Sequence, residues 1–410
     1  MHKLSTLLGL PQHRFASIHV VGTNGKSSVT RMIAALLEAH GVSAGACVSP
    51  HAERWSERVL VHGEEIGAAE FAAAVERAAA AAETVNRTLE EGEAVTQFEL
   101  ATAAAFVALA NARVKAAAIE AGLGGRLDAT NTIPSKVTVL TSVGLDHTEW
   151  LGETEEQIAA EKLAVLRDQT TLVLGRVSPS VAQLAERAAR ERGARLVSAT
   201  TRPASDPYLG LDAGQTSLRV AGAFQRRNFA LACAATEAFL GELDAECVRA
   251  VAAAVEIPGR LEQVSSGPPV FLDAAHNPDG ARALAEALPE AAAGRPVVAV
   301  LAILADKDAR AMTQALSPAL TQAVCTQLPG ADGPKTHAYG GKSARRRAVG
   351  ATALAATCRE AGVAAEAEED FGAAVARGLE LARELGGVLL VAGSHYALGP
   401  ARAALGLEAG

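Results

Sequence analysis

The stretch His19-Val20-Val21-Gly22-Thr23-Asn24-Gly25-Lys26-Ser27-Ser28 decides how the rest of this chain is read. An apolar run, Phe15 to Val21, leads into a turn carrying two glycines, a lysine and two hydroxyls. A helical pattern follows at once, with Val29, Met32, Ile33, Leu36 and Leu37 on one face and Gly41 just past its end. Strand, glycine loop, Lys-Ser and helix together suit a nucleoside triphosphate. The glycines let backbone N–H groups approach phosphates, the helix N-terminus favours anions, Lys26 neutralises charge, and a serine hydroxyl can reach a metal ion. Either Ser27 or Ser28 could supply that hydroxyl. One position departs from the usual phosphate loop, because Val20 stands where such a loop begins with glycine.

Composition narrows the class. A chain of 410 residues with 49% hydrophobic content is long enough for two or three packed domains. Lys and Arg total 38 against 46 Asp and Glu, a net charge of −8 that argues against nucleic acid as a partner. The cysteines Cys47, Cys233, Cys247, Cys325 and Cys358 show no CxxC spacing, which suits reduced cytosolic thiols better than zinc or disulfides. With no basic-then-apolar leader and no long uninterrupted apolar run, the expected place is the cytoplasm, with no membrane partner.

Apolar runs alternate with alanine-rich helical stretches along the whole chain. Candidate strands are Phe15–Val21, Val114–Glu120, Val137–Val143, Thr171–Leu174, Val270–Asp273, Val297–Leu304, Ala323–Gln327 and Val388–Ala392. Strands without alternation, separated by helices, predict parallel sheets covered on both faces. Breakers at Ile257-Pro258-Gly259-Arg260 and Ser265-Ser266-Gly267-Pro268-Pro269 place a domain boundary, giving units 1–262 and 263–410.

Chemistry gathers at predicted strand ends. Glu120 closes one strand and opens the glycine-rich loop Ala121-Gly122-Leu123-Gly124-Gly125-Arg126-Leu127-Asp128-Ala129-Thr130-Asn131. Ligands in open α/β sheets sit beyond the carboxyl ends of strands, so Glu120 is expected beside the phosphate loop, able to hold Mg2+. Asp146-His147 follows another strand; histidine is an unusual Mg2+ ligand, so a metal or phosphate contact and a structural role both stay open. Phe224-Gln225-Arg226-Arg227-Asn228 is expected to precede a helix. Arg260, Asp273-Ala274-Ala275-His276-Asn277-Pro278 and Asp306-Lys307-Asp308 lie at or beyond the boundary, where Asp, Asn and Pro also simply build turns. Read alone, Lys162 is a solvated helix lysine.

The ordered set GTNGK-S, SPH with a downstream Glu-Arg, T-x-FE, E-x-GLGGRLDATN, GLDHTEWLG, EK, PGRLE, DAAHNP and DKD resembles the bacterial folylpolyglutamate synthase/dihydrofolate synthase family of the Mur ligase superfamily. It spans residues 17–310 and continues weakly to Gly393-Ser394. The implied fold is a P-loop, parallel-sheet ATPase domain followed by a smaller Rossmann-like α/β domain. The implied activity is ADP-forming addition of L-glutamate to dihydropteroate and reduced folates through an acyl phosphate, by a monomer. Carried over by motif, Gly22, Thr23, Asn24, Gly25, Lys26, Ser27 and Ser28 form the triphosphate loop. Ser49, Glu120 and His147 are the implied Mg2+ ligands, and Lys162 the lysine carried as a carbamate. Lys26, Lys162, His147 and Glu120 form the catalytic set. Asn228, Arg260 and Asp273, with His276 close by, match ATP contacts, whereas Arg126, Leu127 and Asp128 border the folate site.

Three departures shape the expectation. Lys26-Ser27-Ser28 replaces the family's Lys-Gly-Ser, and Ala52–Arg58 is polar where relatives carry apolar residues. Relatives also carry more chain before the loop, including part of the dihydropteroate site, so polyglutamylation is the better supported half of the activity. The alternatives are a monofunctional folylpolyglutamate synthase, a Mur-type ligase with another acceptor, and a nucleotide-switch ATPase that needs no glutamate.

Overall fold

The computed structural model describes residues 1–199, 218–329 and 347–407. Contacts divide it into a unit of Met1–Arg219 with Arg227–Val255 and a unit of Val220–Arg226 with Glu256–Gly410. In the first unit the four candidate runs become β1 (Ala16–Val21), β5 (Ala116–Glu120), β6 (Val137–Leu140) and β7 (Thr171–Leu174), and four strands not read from the sequence join them: β2 (Ala44–Cys47), β3 (Val59–Val61), β4 (Glu64–Glu65) and β8 (Arg195–Ser198). They form one sheet in the order β4-β3-β2-β5-β1-β6-β7-β8.

From β2 to β8 the pairing is parallel, as the unbroken apolar runs predict. The edge departs from that expectation: β3 and β4 pair antiparallel. His62 and Gly63, with φ of 53° and 83°, make the two-residue turn that joins them. The run Ala44-Gly45-Ala46-Cys47 escapes a sequence reading because it lacks β-branched and aromatic residues, yet all four are buried.

Few aromatics do not mean a thin core. The helix Gln97–Asn111 is apolar nearly all round and buries Ala103, Ala104, Ala105 and Ala108. Ala74, Ala78 and Ala82 of the neighbouring helix Ala68–Asn86 join the same core cluster, so small side chains bring the two backbones together.

The second unit holds β9 (Glu262–Ser266), β10 (Pro269–Leu272), β11 (Val297–Leu301), β12 (Gln322–Cys325), β13 (Ala364–Ala367) and β14 (Val388–Ala392), ordered β13-β12-β11-β14-β10-β9. All pairs are parallel except β9 with β10. In the breaker stretch Ser265–Pro269, placed at the domain boundary from sequence, Gly267 and Pro268 are the hairpin turn that joins β9 to β10 inside this sheet. Gly and Pro punctuate a turn as readily as a domain junction, and only the pairing of their flanks tells the two apart. Among the described residues no helix is long and apolar enough to cross a membrane. The five cysteines are free thiols.

For the site, what matters is the order β5-β1-β6. Val20 pairs with Glu120 and Val21 with Leu140, so the carboxyl ends of three strands line up along one edge. The chain leaves β1 for β2 on one side and later returns to β6 on the other, the kind of switch point where α/β sheets open a crevice.

Candidate functional site

The phosphate loop hangs from β1 and opens the helix Lys26–Ala39. Gly25, at φ 83°, is the helix N-cap, and a Cβ there would stand 2.7 Å from Asn228 Oδ1. Asn228 therefore sits on the loop itself, on the helix Ala223–Leu240. The expectation that Phe224–Asn228 precedes a helix is corrected: those residues are already helical. A Cβ on Gly22 would fall 1.9 Å from Thr141 Oγ1, which excludes every other residue at that position.

Residues beyond β6 buttress the loop, and the sequence reading absorbed them into the strand. Thr141 Oγ1 donates to Asn24 O at 2.7 Å, and Asn24 N donates to Ser142 Oγ at 3.0 Å. Thr23 Oγ1 accepts from Gly144 N at 3.1 Å. Hydroxyls at the end of a buried strand were the available signal for Thr141 and Ser142. Lys26 curls back, its Nζ donating to Thr23 O at 3.2 Å.

Glu120 closes the other side. Its Oε1 accepts from Ser27 Oγ at 3.0 Å and its Oε2 from Ser49 N at 2.9 Å, while Ser27 Oγ lies 3.4 Å from Ser49 O. Of the two candidate hydroxyls, Ser27 reaches the carboxylate and Ser28 is buried within the helix. His147 stands at φ 52° on the loop after β6, its Nε2 3.8 Å from Asp146 Oδ1. Among the described residues no group of three or more His, Cys, Asp or Glu side chains gathers to hold a metal. A cation at Glu120 would therefore have to draw on hydroxyl and carbonyl oxygens and on ligand phosphates.

Lys162 is not the solvated lysine its helix suggests. The helix Glu155–Leu163 buries it, and Nζ donates to Gly22 O at 2.9 Å. Burial first, and then the charge of Lys26, push its pKa down to about 7.

The glycine-rich loop explains how that helix can lie so close. A Cβ on Gly125 would come 2.5 Å from Glu161 O and 3.0 Å from Lys162 Cα. Arg126 N donates to Glu161 O at 3.1 Å, and Arg126 Nε pairs with Glu161 Oε1 at 2.9 Å. Asp128 is buried and pins the loop, accepting from Leu123 N and Thr130 N at 2.9 Å each. Its carboxylate is thus committed inside the loop, whereas Leu127 is 75% exposed beside it. Phe98 covers Gly122, where a Cβ would lie 2.3 Å from Phe98 Cζ. Gly125→Ala is expected to cost roughly 1–3 kcal/mol by overpacking. A thermal melt would show the lower midpoint, and turnover would fall with it as Lys162 is displaced.

In the second unit, Asp273 follows β10 and accepts from Leu261 N and Ala275 N, both at 2.7 Å. Burial raises its pKa, with Arg260 and His276 opposing. Arg260, Asp273 and His276 are therefore neighbours. Asn277 and Asp308 cap the helices Pro278–Ala291 and Ala309–Leu316, so the DAAHNP and DKD motifs do build turns.

A phosphate loop on a parallel sheet, followed by a second α/β unit, defines an ATP-dependent ligase of the Mur type. Family profiles agree: the Mur ligase middle domain matches residues 20–236 and the Mur ligase glutamate ligase domain matches residues 259–395. The dihydrofolate synthase/folylpolyglutamate synthase of Mycobacterium tuberculosis is 38% identical, over 79% of this chain and 72% of its own. That of Bacillus subtilis is 33% identical over 77% of each. The folylpolyglutamate synthase of Lacticaseibacillus casei is 34% identical over 79% of each. Among solved structures, M. tuberculosis folylpolyglutamate synthase complexed with ADP matches with TM-score 0.87 at 32% identity, covering 100% of this chain and 94% of that one. E. coli FolC in complex with DHPP and ADP matches with TM-score 0.77 at 26% identity, covering 98% and 92%. This chain belongs to the dihydrofolate synthase/folylpolyglutamate synthase family.

Proposed function

We propose that this chain, acting as a monomer in the cytoplasm, uses ATP and Mg2+ to add L-glutamate to dihydropteroate and to the glutamate tail of reduced folates. The observation that carries this reading is the meeting of the phosphate loop, Glu120 and buried Lys162 at one sheet edge. The names of the relatives supply the acceptor, and the ADP in their structures supports the nucleotide. On this reading the unit that carries the phosphate loop holds ATP and folate, and the second unit, whose long stretch begins at Glu256 rather than at the expected residue 263, serves glutamate ligation.

The residues present suit Mg2+, because the Glu120 carboxylate, the Ser27 hydroxyl and the Ser49 carbonyl are oxygen donors set side by side. His147 would add a nitrogen. Bound there, the ion supplies charge neutralisation between the phosphates and the acceptor carboxylate. Backbone N–H groups of Gly22–Ser28 cradle the phosphates, and Lys26 offsets their charge. The acceptor carboxylate attacks the γ-phosphorus and ADP leaves. The amine of glutamate then attacks the acyl carbonyl and expels phosphate. Excluding water protects the acyl phosphate meanwhile.

A lysine held near neutrality by burial is nucleophilic toward CO2, and a carbamate formed on Lys162 keeps one N–H for Gly22 O. The new anion helps orient the transferring phosphoryl group. Asn228 is an ATP contact at the phosphate loop, and in the second unit Arg260 and His276, on a turn shaped by Asp273, match the family's ATP-contact motifs. Arg126 and Leu127, on the loop shaped by Asp128, border the folate.

The test is phosphate release from ATP with Mg2+ and L-glutamate, comparing dihydropteroate, tetrahydrofolate and no folate. Release with both folates is expected. Release with tetrahydrofolate alone would favour a monofunctional polyglutamylating enzyme, the reading that the L. casei relative's name supports. Equal release without folate or glutamate would overturn the ligase.

A further inference from the structure

We infer that His19, buried in β1 ahead of the phosphate loop, is a positioning residue that acts through Thr130 and Asp128 to set the loop on which Lys162 rests. The inference rests on the ligase reading for its kinetic consequence, but not for its geometry.

His19 is fully buried, and its Nε2 lies 2.8 Å from Thr130 Oγ1. Thr130 Oγ1 bonds in turn to Asp128 Oδ1. Asp128 collects the N–H groups of Leu123 and Thr130, and its own N–H donates to Gly125 O at 3.1 Å. Gly125 and Arg126 are the residues pressed against Glu161 and Lys162. A continuous set of contacts therefore runs from β1 to the backbone of Lys162, while Lys162 Nζ closes the circuit on Gly22, back at the end of β1.

The polarity of that chain can be assigned. His19 Nδ1 has no hydrogen-bond partner among the described residues. A buried N–H left unpaired is rarer than an unpaired acceptor, so the proton belongs on Nε2. The imidazole then donates to Thr130, which donates to the carboxylate. Burial, aided by the charge of Arg167, lowers the His19 pKa to about 3 and keeps the ring neutral. An apolar side chain would pack in this strand without leaving Nδ1 unpaired and so without the cost of its desolvation. Paying that cost makes sense if the donor at Nε2 is what the position needs.

The test pairs variants at two links of the chain with a measurement on the wild-type protein. His19→Leu and Thr130→Val remove the relay; His19→Gln and Thr130→Ser keep a group that can make the same bond. Expected is a fall of roughly 10- to 100-fold in kcat for glutamate-dependent phosphate release in the first pair. The KM for ATP should stay within about twofold, and most of kcat should return in the second pair. Unchanged kcat in His19→Leu, or a loss that Gln and Ser do not recover, would overturn the proposal. Nitrogen-15 NMR of histidine-labelled wild type should show His19 as the neutral Nε2–H form from pH 5 to 9, and an Nδ1–H form would overturn it whatever the variants do. A wild type without glutamate-dependent release would refute the ligase reading instead, leaving the tautomer measurement to judge the relay.

Discussion

Lys26→Ala is expected to remove essentially all glutamate-dependent phosphate release, lowering kcat/KM by roughly 10³-fold, while the thermal midpoint hardly moves. The reason lies in what Lys26 touches. Among the described residues its ammonium donates only to the Thr23 carbonyl at 3.2 Å, a partly solvated contact of its own turn, so its removal costs the folded state little. On the proposed reading it is the cation of the phosphate loop, set at a helix N-terminus beside Glu120, where transferred charge must be offset. Stability and activity should therefore separate. Calorimetric titration with ADP would show weakened binding, and a melt would show an unchanged fold. Lys26→Arg should not restore the activity, because a planar fork does not replace a compact ammonium in a loop this tight. A variant that keeps normal turnover would remove Lys26 from the chemistry.

Lys162→Met should behave differently, losing roughly 10²- to 10⁴-fold in kcat without losing stability. The folded-state pKa of about 7 lies below the ordinary 10.5, so the unfolded chain binds more protons between those values. Wild-type stability accordingly rises with pH across that window, by about 1.4 kcal/mol per unit from this one group. Below about pH 7 the full cost of a buried ammonium is present. The methionine variant lacks this slope, so chemical denaturation at pH 7, 8 and 9 should show the two proteins converging as pH rises. If the working form is a carbamate, a short carboxylate such as acetate should return part of the variant's activity, and carbon-13 bicarbonate should label the wild type alone. Parallel pH profiles of stability would contradict a buried, neutralised amine.

How legible the site was differs residue by residue. Gly22, Gly25 and Lys26 announce themselves, because a tight anion-binding turn can be built from few residue types. Glu120 was readable for a topological reason: an acid closing an apolar strand is carried to the carboxyl edge of the sheet with it. Lys162 was not. Its helix is polar at Glu155, Glu156, Gln157 and Glu161, and periodicity assigns it to solvent. It is buried because Gly125 lets a distant loop press onto its backbone. Thr141 and Ser142 were hidden for a related reason, since apolar continuity made the strand look longer than it is. Asp128 shows the converse. Its place in a family motif suggests a ligand contact, whereas the fold commits its carboxylate to the N–H groups of its own loop.

By itself, the sequence determined the local elements and the chemistry they carry: buried parallel strands, the phosphate loop, turns around Asn277 and Asp308, and a carboxylate at a strand end. Each depends on neighbours within a few residues, through dihedral preference, hydrogen-bond reach and hydrophobic period. The tertiary structure alone decided that β3, β4 and β9 run antiparallel, that Gly267 and Pro268 are a hairpin turn, and that Lys162 meets Gly22. Those outcomes depend on pairing between segments far apart in the chain, where close packing and desolvation, rather than local propensity, select the arrangement.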